Sequence, residues 1–344
     1  MKKKLILSFF GLLLLAGIFI AYKTAGPATG ESTRKYLYIR ETETLQDISK
    51  QLEESGALKN TAWFRRVAGW MNYTRPRPGR YELKKGMSLY NLVKMLRAGR
   101  QAPVKLVIVK ERTRELFAGK MGKKFDTDCD SLCLISYLNN NDSLRQFGVD
   151  SNTVMSIVMP FTYEIYWNSS PRKIVSQFQT AWDKFWTPER KAKAEKQGLN
   201  PLQVSILASI VEEETTRKPD KYNIASVYLN RLRRDMKLEA DPTAKFVTRN
   251  FGLNRITYAH LRQESPYNTY IHKGLPPGPI CTPSVESLEA VLDAPQTDYI
   301  FFVASYKFDG SSIFTSNYAD HQKYVKLFHA EQNRRADSLK KRKG

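Results

Sequence analysis

Cysteine is scarce and odd in number. The 344 residues hold only Cys129, Cys133 and Cys281, so no disulfide framework staples this fold, and the small cross-linked scaffolds of secreted domains are excluded. A local bridge between Cys129 and Cys133 is open in an oxidising compartment if that segment is helical, since the spacing puts both thiols on one face; three separate thiols are the plainer reading. Histidine is scarce too. The four are well apart and none is paired with a cysteine, so no metal site is indicated and no cofactor is expected. Acidic residues fall short, 34 against 55 Lys and Arg, for a formal charge of +21. Such a surface wants an anionic partner, whether nucleic acid, acidic lipid headgroups or an acidic polymer of the cell envelope. The basic residues are scattered, without aromatic interleaving, zinc-ligand spacing or a basic heptad, so nucleic acid is not expected. With 42% hydrophobic and 12% aromatic residues, the composition is that of a globular chain of two or more domains.

Long apolar runs are absent after the first. Leu5 to Tyr22 carries no charge, follows Met1-Lys-Lys-Lys4 and is closed by Lys23. That length just suffices to cross a bilayer as a helix. A cleaved signal has a shorter apolar region and a small-x-small site, for which Thr24-Ala25-Gly26 is a poor candidate. An uncleaved single-pass anchor is therefore expected. The amino-terminal lysines place its amino end in the cytoplasm, although Lys23, Arg34 and Lys35 on the other side reduce the asymmetry.

After a Gly/Pro/Ser linker, Tyr36 to Arg40 alternates as a strand, and Thr44 caps an amphipathic helix with Leu45, Ile48 and Leu52 on one face. A helix from Thr61 to Met71 leads to the strand in Arg77-Pro-Gly-Arg-Tyr-Glu-Leu83. Ser88 then caps a helix bearing Leu89, Leu92, Val93 and Leu96, ended by Gly99. This unit, with its Gly-x-Tyr-x-Leu segment, resembles the small glycan-binding LysM module. Further on the pattern predicts a strand at Val104 to Val109, helices at Arg114 to Lys124, Pro171 to Trp186 and Pro188 to Lys196, and a loop at Asn139 to Asp142. It then predicts a helix at Tyr222 to Leu232, a polar turn at Glu239 to Thr243, a helix at Ser284 to Leu292, a buried strand at Tyr299 to Ala304 hairpinned to Ile313 to Asn317, and a helix from Tyr318 to Arg334. The expected fold class is α+β: a transmembrane helix (1–25), a linker and small LysM-like α+β module (26–103), a mixed α/β domain (104–335) that carries the motifs below and a basic tail (336–344).

The chain is organised around Asn200-Pro-Leu-Gln-Val-Ser-Ile-Leu-Ala-Ser-Ile-Val-Glu-Glu-Glu-Thr-Thr216. Asn200 is a good N-cap, Pro201 suits the first helical position and Gln203 closes a capping box. At 100° per residue Val204, Ile206, Leu207, Ile210 and Val211 form one arc, with Ser205, Ala208, Ser209 and Glu212 opposite. Glu214 projects into the apolar arc, while Glu212 and Glu213 reach its edge or solvent. A carboxyl that loses water has its pKa raised, as a general acid near neutral pH requires. The alternative is that Glu214 merely ends the helix and pairs with Arg217, Lys218 or Arg231.

Ala208-Ser-Ile-Val-Glu-Glu-Glu-Thr215, Ala225-Ser-Val-Tyr-Leu-Asn-Arg-Leu232, Asp241-Pro-Thr243, Tyr267-Asn-Thr-Tyr270, Gly274-Leu-Pro-Pro-Gly278, Thr282-Pro283 and Phe314-Thr-Ser-Asn317 follow one another in an order that resembles the bacterial endolytic murein transglycosylases of the YceG-like, or MltG, type. The resemblance runs from the anchor to His321 and is strongest from Ile206 onward. It implies a single-pass inner-membrane enzyme facing the periplasm, with the glutamate directly before the threonine, Glu214, as the catalytic residue. The chain departs from the pattern where Glu111-Arg112 stands for Glu-Gly and Pro160-Phe161-Thr162 for Pro-Asp-Thr.

A lytic transglycosylase needs one carboxylate where common glycosidases need two. Glu214 would protonate the glycosidic oxygen between N-acetylmuramic acid and N-acetylglucosamine, then take the proton of the muramyl 6-hydroxyl as that oxygen closes a 1,6-anhydro ring. Asn230, Asp241, Tyr267, Asn268, Tyr270 and Asn317 are the candidates for holding the glycan, each with a turn, cap or core role as its alternative. The partners implied are peptidoglycan glycan strands, the inner membrane and peptidoglycan synthases working on nascent strands. A non-catalytic wall-binding division scaffold remains open, as does a muramidase with Glu239 or Asp241 as the second carboxylate.

Overall fold

The N-terminal apolar run is helical without interruption as α1 (Lys2–Ala25), and its segment Ile6–Ala25 is long and apolar enough to cross a membrane by length and composition. The computed structural model describes residues 2–32, 35–125, 131–253 and 255–341. Helices and short two-stranded sheets divide into two units, Met1–Lys105 with Lys124–Asp126 and Glu164–Ser170, and Leu106–Lys123 with Thr127–Tyr163 and Pro171–Gly344.

In the first unit, β1 (Tyr36–Ile39), α2 (Leu45–Glu54), α3 (Ala62–Trp70), β2 (Gly79–Glu82) and α4 (Leu89–Ala98) follow the order that the patterning predicts. Thr44 and Asp47 close a capping box at α2, Ser88 caps α4 through the Asn91 N–H, and Gly99 ends α4 in the left-handed region at φ 66°. β1 and β2 pair antiparallel from Tyr36↔Glu82 to Ile39↔Gly79. Their inward residues meet the apolar helix faces in one core, in which Ile39, Ile48, Leu52, Phe64, Leu92 and Leu96 have no exposed surface.

The chain continues through β3 (Val104–Val107), α5 (Arg114–Gly122), α6 (Ser131–Asn139), α7 (Asn141–Arg145), β4 (Thr162–Ile165), α8 (Pro171–Phe185), α9 (Pro188–Lys196), α10 (Pro201–Glu214), α11 (Lys218–Arg233), α12 (Asp241–Thr248), α13 (Tyr258–Leu261), α14 (Val285–Leu292), β5 (Phe301–Ala304), β6 (Ser312–Thr315) and α15 (Tyr318–Lys341). β3 and β4 form a two-stranded sheet, and β5 and β6 an antiparallel hairpin.

α10 has the capping box and first-turn proline that its sequence announces, but it has no solvent side. Ser205, Ala208 and Ser209 are as buried as the aliphatic residues opposite, because α9, α11, α12 and α14 pack around the helix. Small residues there let backbones approach, and the Ser209 hydroxyl donates to the Ile206 carbonyl while accepting from the Ile280 N–H at 3.0 Å.

Four local expectations are corrected. Asn139 to Asp142 is not a loop: the Asn140 side chain accepts from the Ser143 N–H and starts α7. Glu239 to Thr243 is not a turn, since Asp241-Pro242 opens α12. β5 is half-buried instead of buried, as befits one arm of a two-stranded hairpin. Residues 336–341 continue α15, and 342–344, the end of the expected basic tail, lie outside the described residues, as does Cys129.

Within the rigid Gly274–Pro279 loop, a Cβ on Gly278 would sit 2.0 Å from the Asn152 carbonyl oxygen and 2.9 Å from the Tyr267 hydroxyl. Gly278→Ala is therefore expected to destabilise by about 1–3 kcal/mol through overpacking. Gly119→Ala, in the interior of α5 with nothing within 4 Å of its Cβ, should be neutral or stabilising by up to about 1 kcal/mol. Urea unfolding of the two variants checks the contrast.

Candidate active site

Three consecutive carboxylates close α10, at the helix end whose unpaired carbonyls already disfavour negative charge. Each is treated differently. Glu212 is not at the surface, as its place on the helix suggests, but sits in a nest of donors. Its Oε2 accepts from the hydroxyls of Ser284 at 2.5 Å and Ser287 at 2.6 Å and from the ammonium of Lys221 at 3.1 Å. Burial alone would raise this carboxyl; the serine hydroxyls and Lys221 outweigh it and hold the group down at about 2. Ser284 serves twice, because it also caps α14 by accepting from the Ser287 N–H.

Glu213 is paired with Lys110 at 3.0 Å and Arg112 at 3.1 Å, and these cations likewise overcome burial to keep it ionised. Both come from the segment after β3, which is tied down by a pair of hydrogen bonds between Glu111 and Thr282. The arginine standing where the family pattern has glycine is thus the counter-ion of Glu213.

Glu214 has no such compensation. Arg217 is engaged by Asp220 and Arg231 by Glu239, and among the described residues Glu214 makes no ion pair. Its Oε1 accepts from the Tyr228 hydroxyl on α11. An edge of the carboxyl opens onto a cavity while protein crowds the remainder. This loss of water raises it from 4.5 to about 7, the Tyr228 hydrogen bond acts in the opposite sense, and the charge of Asp241 adds to the rise. With Oε1 taken by a donor, Oε2 is the oxygen free to carry a proton towards the cavity.

That cavity, about 670 Å³, is lined by Glu214, Glu239, Asp241, Tyr270 and an aromatic side that includes Phe301, Tyr318 and His321. Its carboxylates are already in use. Glu239 accepts from Arg231 at 2.9 Å, and Asp241 accepts from the Tyr270 hydroxyl at 2.6 Å. Arg231 is itself fixed by the carbonyls of Leu238 and Ile300, so it locks the approach to α12 against β5. Among the described residues no group of three His, Cys, Asp or Glu side chains is arranged to hold a metal ion.

The structure brings only part of the expected glycan-holding set to the cavity. Asp241 and Tyr270 line it with Glu214. Asn230 is buried and spends its amide on the carbonyls of Thr297 and Tyr299, pinning the chain that leads into β5. Asn268 is fully buried and holds its own loop through the carbonyls of Leu261 and Gln263 and the Tyr270 N–H. Neither is among the residues that line the cavity, and both amide nitrogens are spent on backbone carbonyls. Tyr267 packs on Phe246 with centroids 4.9 Å apart, and Asn317 caps α15 through the Asp320 N–H. Sequence reasoning named Arg231 only as a partner for Glu214, from which Glu239 diverts it, and gave Tyr228 no role. Their signal was present, for they stand three residues apart in the Ala225 to Leu232 motif and so share a face of α11.

A model of the YceG-like family matches residues 37–327. The chain is 26% identical to the endolytic murein transglycosylase of Bacillus subtilis, with 93% of this chain and 92% of the relative covered. It is 27% identical to a Streptococcus pneumoniae protein of the same name, covering 94% of this chain and 65% of that longer relative. The crystal structure of a yceG-like protein from Listeria monocytogenes superposes with a TM-score of 0.55 at 27% identity, over 84% of this chain and 97% of that one.

Two stability measurements follow from the sorting of the glutamates. Below pH 4.5 Glu214 is protonated folded or unfolded; as pH rises to about 7 the unfolded state ionises first, so stability is lost across that window. Glu214→Gln abolishes this loss and should stabilise the protein at pH 8 relative to pH 4 by up to about 3 kcal/mol. Glu212→Gln should instead cost on the order of 3 kcal/mol at neutral pH, because it leaves the buried Lys221 ammonium undercompensated. Thermal unfolding at the two pH values reads both.

Proposed function

This chain belongs to the YceG-like family, and from that premise we propose that it is an endolytic lytic transglycosylase of peptidoglycan, cutting the β-1,4 bond between N-acetylmuramic acid and N-acetylglucosamine to leave 1,6-anhydromuramic ends. Its relatives carry the name endolytic murein transglycosylase. The observation that carries the mechanism is a single carboxyl, Glu214, raised to about 7 at the wall of a cavity large enough for sugar rings.

Glu214 is the catalytic acid. Oε2 gives its proton to the glycosidic oxygen, so that the bond to the muramyl anomeric carbon breaks and the leaving sugar departs neutral. The carboxylate formed is then the base that takes the proton of the muramyl 6-hydroxyl while that oxygen attacks the anomeric carbon. One residue serves both steps, the proton returns to it and no water is consumed. Tyr228 orients the carboxyl through Oε1 and steadies it in the ionised interval. A hydrolase would use a second carboxylate to activate water. The engagement of Glu239 by Arg231 and of Asp241 by Tyr270 supports the one-carboxylate chemistry. In this proposal Asp241 and Tyr270, which line the cavity, bind the glycan's hydroxyl and N-acetyl groups, while Asn230 and Asn268 act from behind by fixing the segments that carry the lining.

In this reading α1 anchors the protein in the inner membrane, residues 26–103 form a LysM-like module, residues 104–335 the catalytic domain, and both lie in the periplasm. The charge of +21 faces the acidic wall polymer. Glycan strands newly made by peptidoglycan synthases are the natural substrate of a cutter tethered at that place.

Mass spectrometry of products from intact glycan strands tests the proposal. Anhydro ends are expected; reducing ends, heavier by one water, would make the protein a muramidase, and no cleavage would make it a scaffold. Glu214→Gln should lower turnover by about 10²- to 10⁴-fold. The value of kcat/KM should fall as pH rises through about 7. Tyr228→Phe removes the hydrogen bond that lowers this carboxyl, so its falling limb should move to higher pH; an unmoved limb would show that Tyr228 does not act on Glu214.

A further inference from the structure

Helix α3 carries a stripe on the side turned from the core of its unit, where Trp63 packs partly on the edge of that core and Trp70 stands exposed. Phe64, Val67 and Ala68 point inward and are buried, while Trp63, Arg66 and Trp70 stand three and four residues apart and share the opposite face. Trp70 is 58% exposed. The two indoles meet with centroids 6.1 Å apart, and the Arg66 guanidinium lies 5.0 Å over the Trp63 ring. Large apolar rings kept on a surface by packing against each other mark an interaction site.

The neighbouring helix says what covers them. Trp63 also meets Phe19 of α1, edge-on at 5.8 Å. Phe19 lies six residues before Ala25, the outer end of the apolar segment Ile6–Ala25. At ~1.5 Å per residue it is about 9 Å inside that end, and the segment as a whole is about 30 Å long, which is the thickness of a bilayer's hydrocarbon layer. A segment of that length has nothing to spare. If it spans, Phe19 lies within the acyl layer near its outer margin, and whatever touches Phe19 cannot stand in bulk water. Lys23, one turn further out, lies with its ammonium 5.5 Å over the Phe19 ring, so a cation stands at the outer margin of the apolar segment beside the contact with Trp63.

We infer that α3 is an interfacial helix. Its Trp63–Arg66–Trp70 stripe rests in the headgroup and upper acyl layer of the phospholipid leaflet from which α1 emerges, with Arg66 turned to lipid phosphates. Tryptophan is suited to that layer because its ring is apolar and its N–H keeps a polar partner. A depth of about 5–10 Å is where interfacial helices sit, and the offset measured along α1 falls in that range. The first unit is then held against the bilayer at two places, by α1 and by α3, and its stance over the membrane is fixed by both.

The inference rests on α1 spanning the membrane, and one experiment separates the two. The full-length protein has five tryptophans, of which Trp167, Trp182 and Trp186 are buried, so emission open to lipid comes from Trp63 and Trp70. The protein is reconstituted into vesicles containing phospholipid brominated near the headgroup end of the acyl chains, or near their methyl end. Flotation with the vesicles tests α1, and quenching of emission tests α3. The expected result is flotation, stronger quenching by the shallow bromines than by the deep ones, and loss of the quenchable emission in Trp63→Phe/Trp70→Phe, with a partial loss in Trp70→Phe alone, where no core residue is touched. Flotation without shallow quenching, or quenching unchanged in the variants, would overturn the inference and leave the anchor standing. Failure to float would overturn both.

Discussion

Placing three carboxylates side by side at the negative end of a buried helix is the constraint on which the rest of this site depends. Without partners, all three would hold their protons or pull the helix end into water. The fold answers by compensating two of them and starving the third. Glu212 receives the Lys221 ammonium and two hydroxyls, Glu213 receives a guanidinium, the two share the Lys110 ammonium, and Glu214 receives one neutral phenol. The difference in partners turns three like residues into two fixed anions and one acid that titrates near pH 7.

Much of the surrounding architecture can be read as the supply of those partners. The Ser284 that starts α14 also grips Glu212, so the register of α14 and the end of α10 are set by one hydroxyl. Lys110 and Arg112 arrive on a segment held by Glu111 and Thr282, which puts two cations beside Glu213 and none beside Glu214. Arg231, the cation whose helix also carries Tyr228, is withheld from the acid by Glu239 and by backbone carbonyls. Had it been free, an ion pair would have pulled Glu214 down as the others are and removed the proton on which the proposed chemistry turns.

The polar residues behind the cavity follow the same logic. Asn230 and Asn268 occur in motifs that lead to the site, yet they act on backbone: a buried amide that satisfies two carbonyls fixes a loop more firmly than a solvated side chain can. Tyr270 can reach Asp241 because its loop is locked by Asn268 and by the Thr243–Thr269 hydroxyl contact. A surface that binds the proposed glycan strand needs such stiffness, since each loosely held contact would cost entropy on ordering.

The sequence by itself determined the local elements whose cause is local: the apolar length of α1, the Asn200–Gln203 box and Pro201 of α10, the Ser88 and Thr44 caps, the left-handed Gly99, and the hairpin of β5 and β6. These depend on neighbours a few residues away, and such neighbours are visible in a string. It also singled out Glu214, by helical phase and by motif, although the phase argument took for granted a solvent side that α10 lacks. Only the tertiary structure decided which glutamates are compensated, because all their partners but Lys221 come from about 70 to 100 residues away in the chain: Lys110 and Arg112 on one side, Ser284 and Ser287 on the other. It alone separated Asp241 and Tyr270, which face the cavity, from Asn230 and Asn268, which face backbone. Burial and the direction of a side chain are properties of the packed whole, and a pKa depends on both.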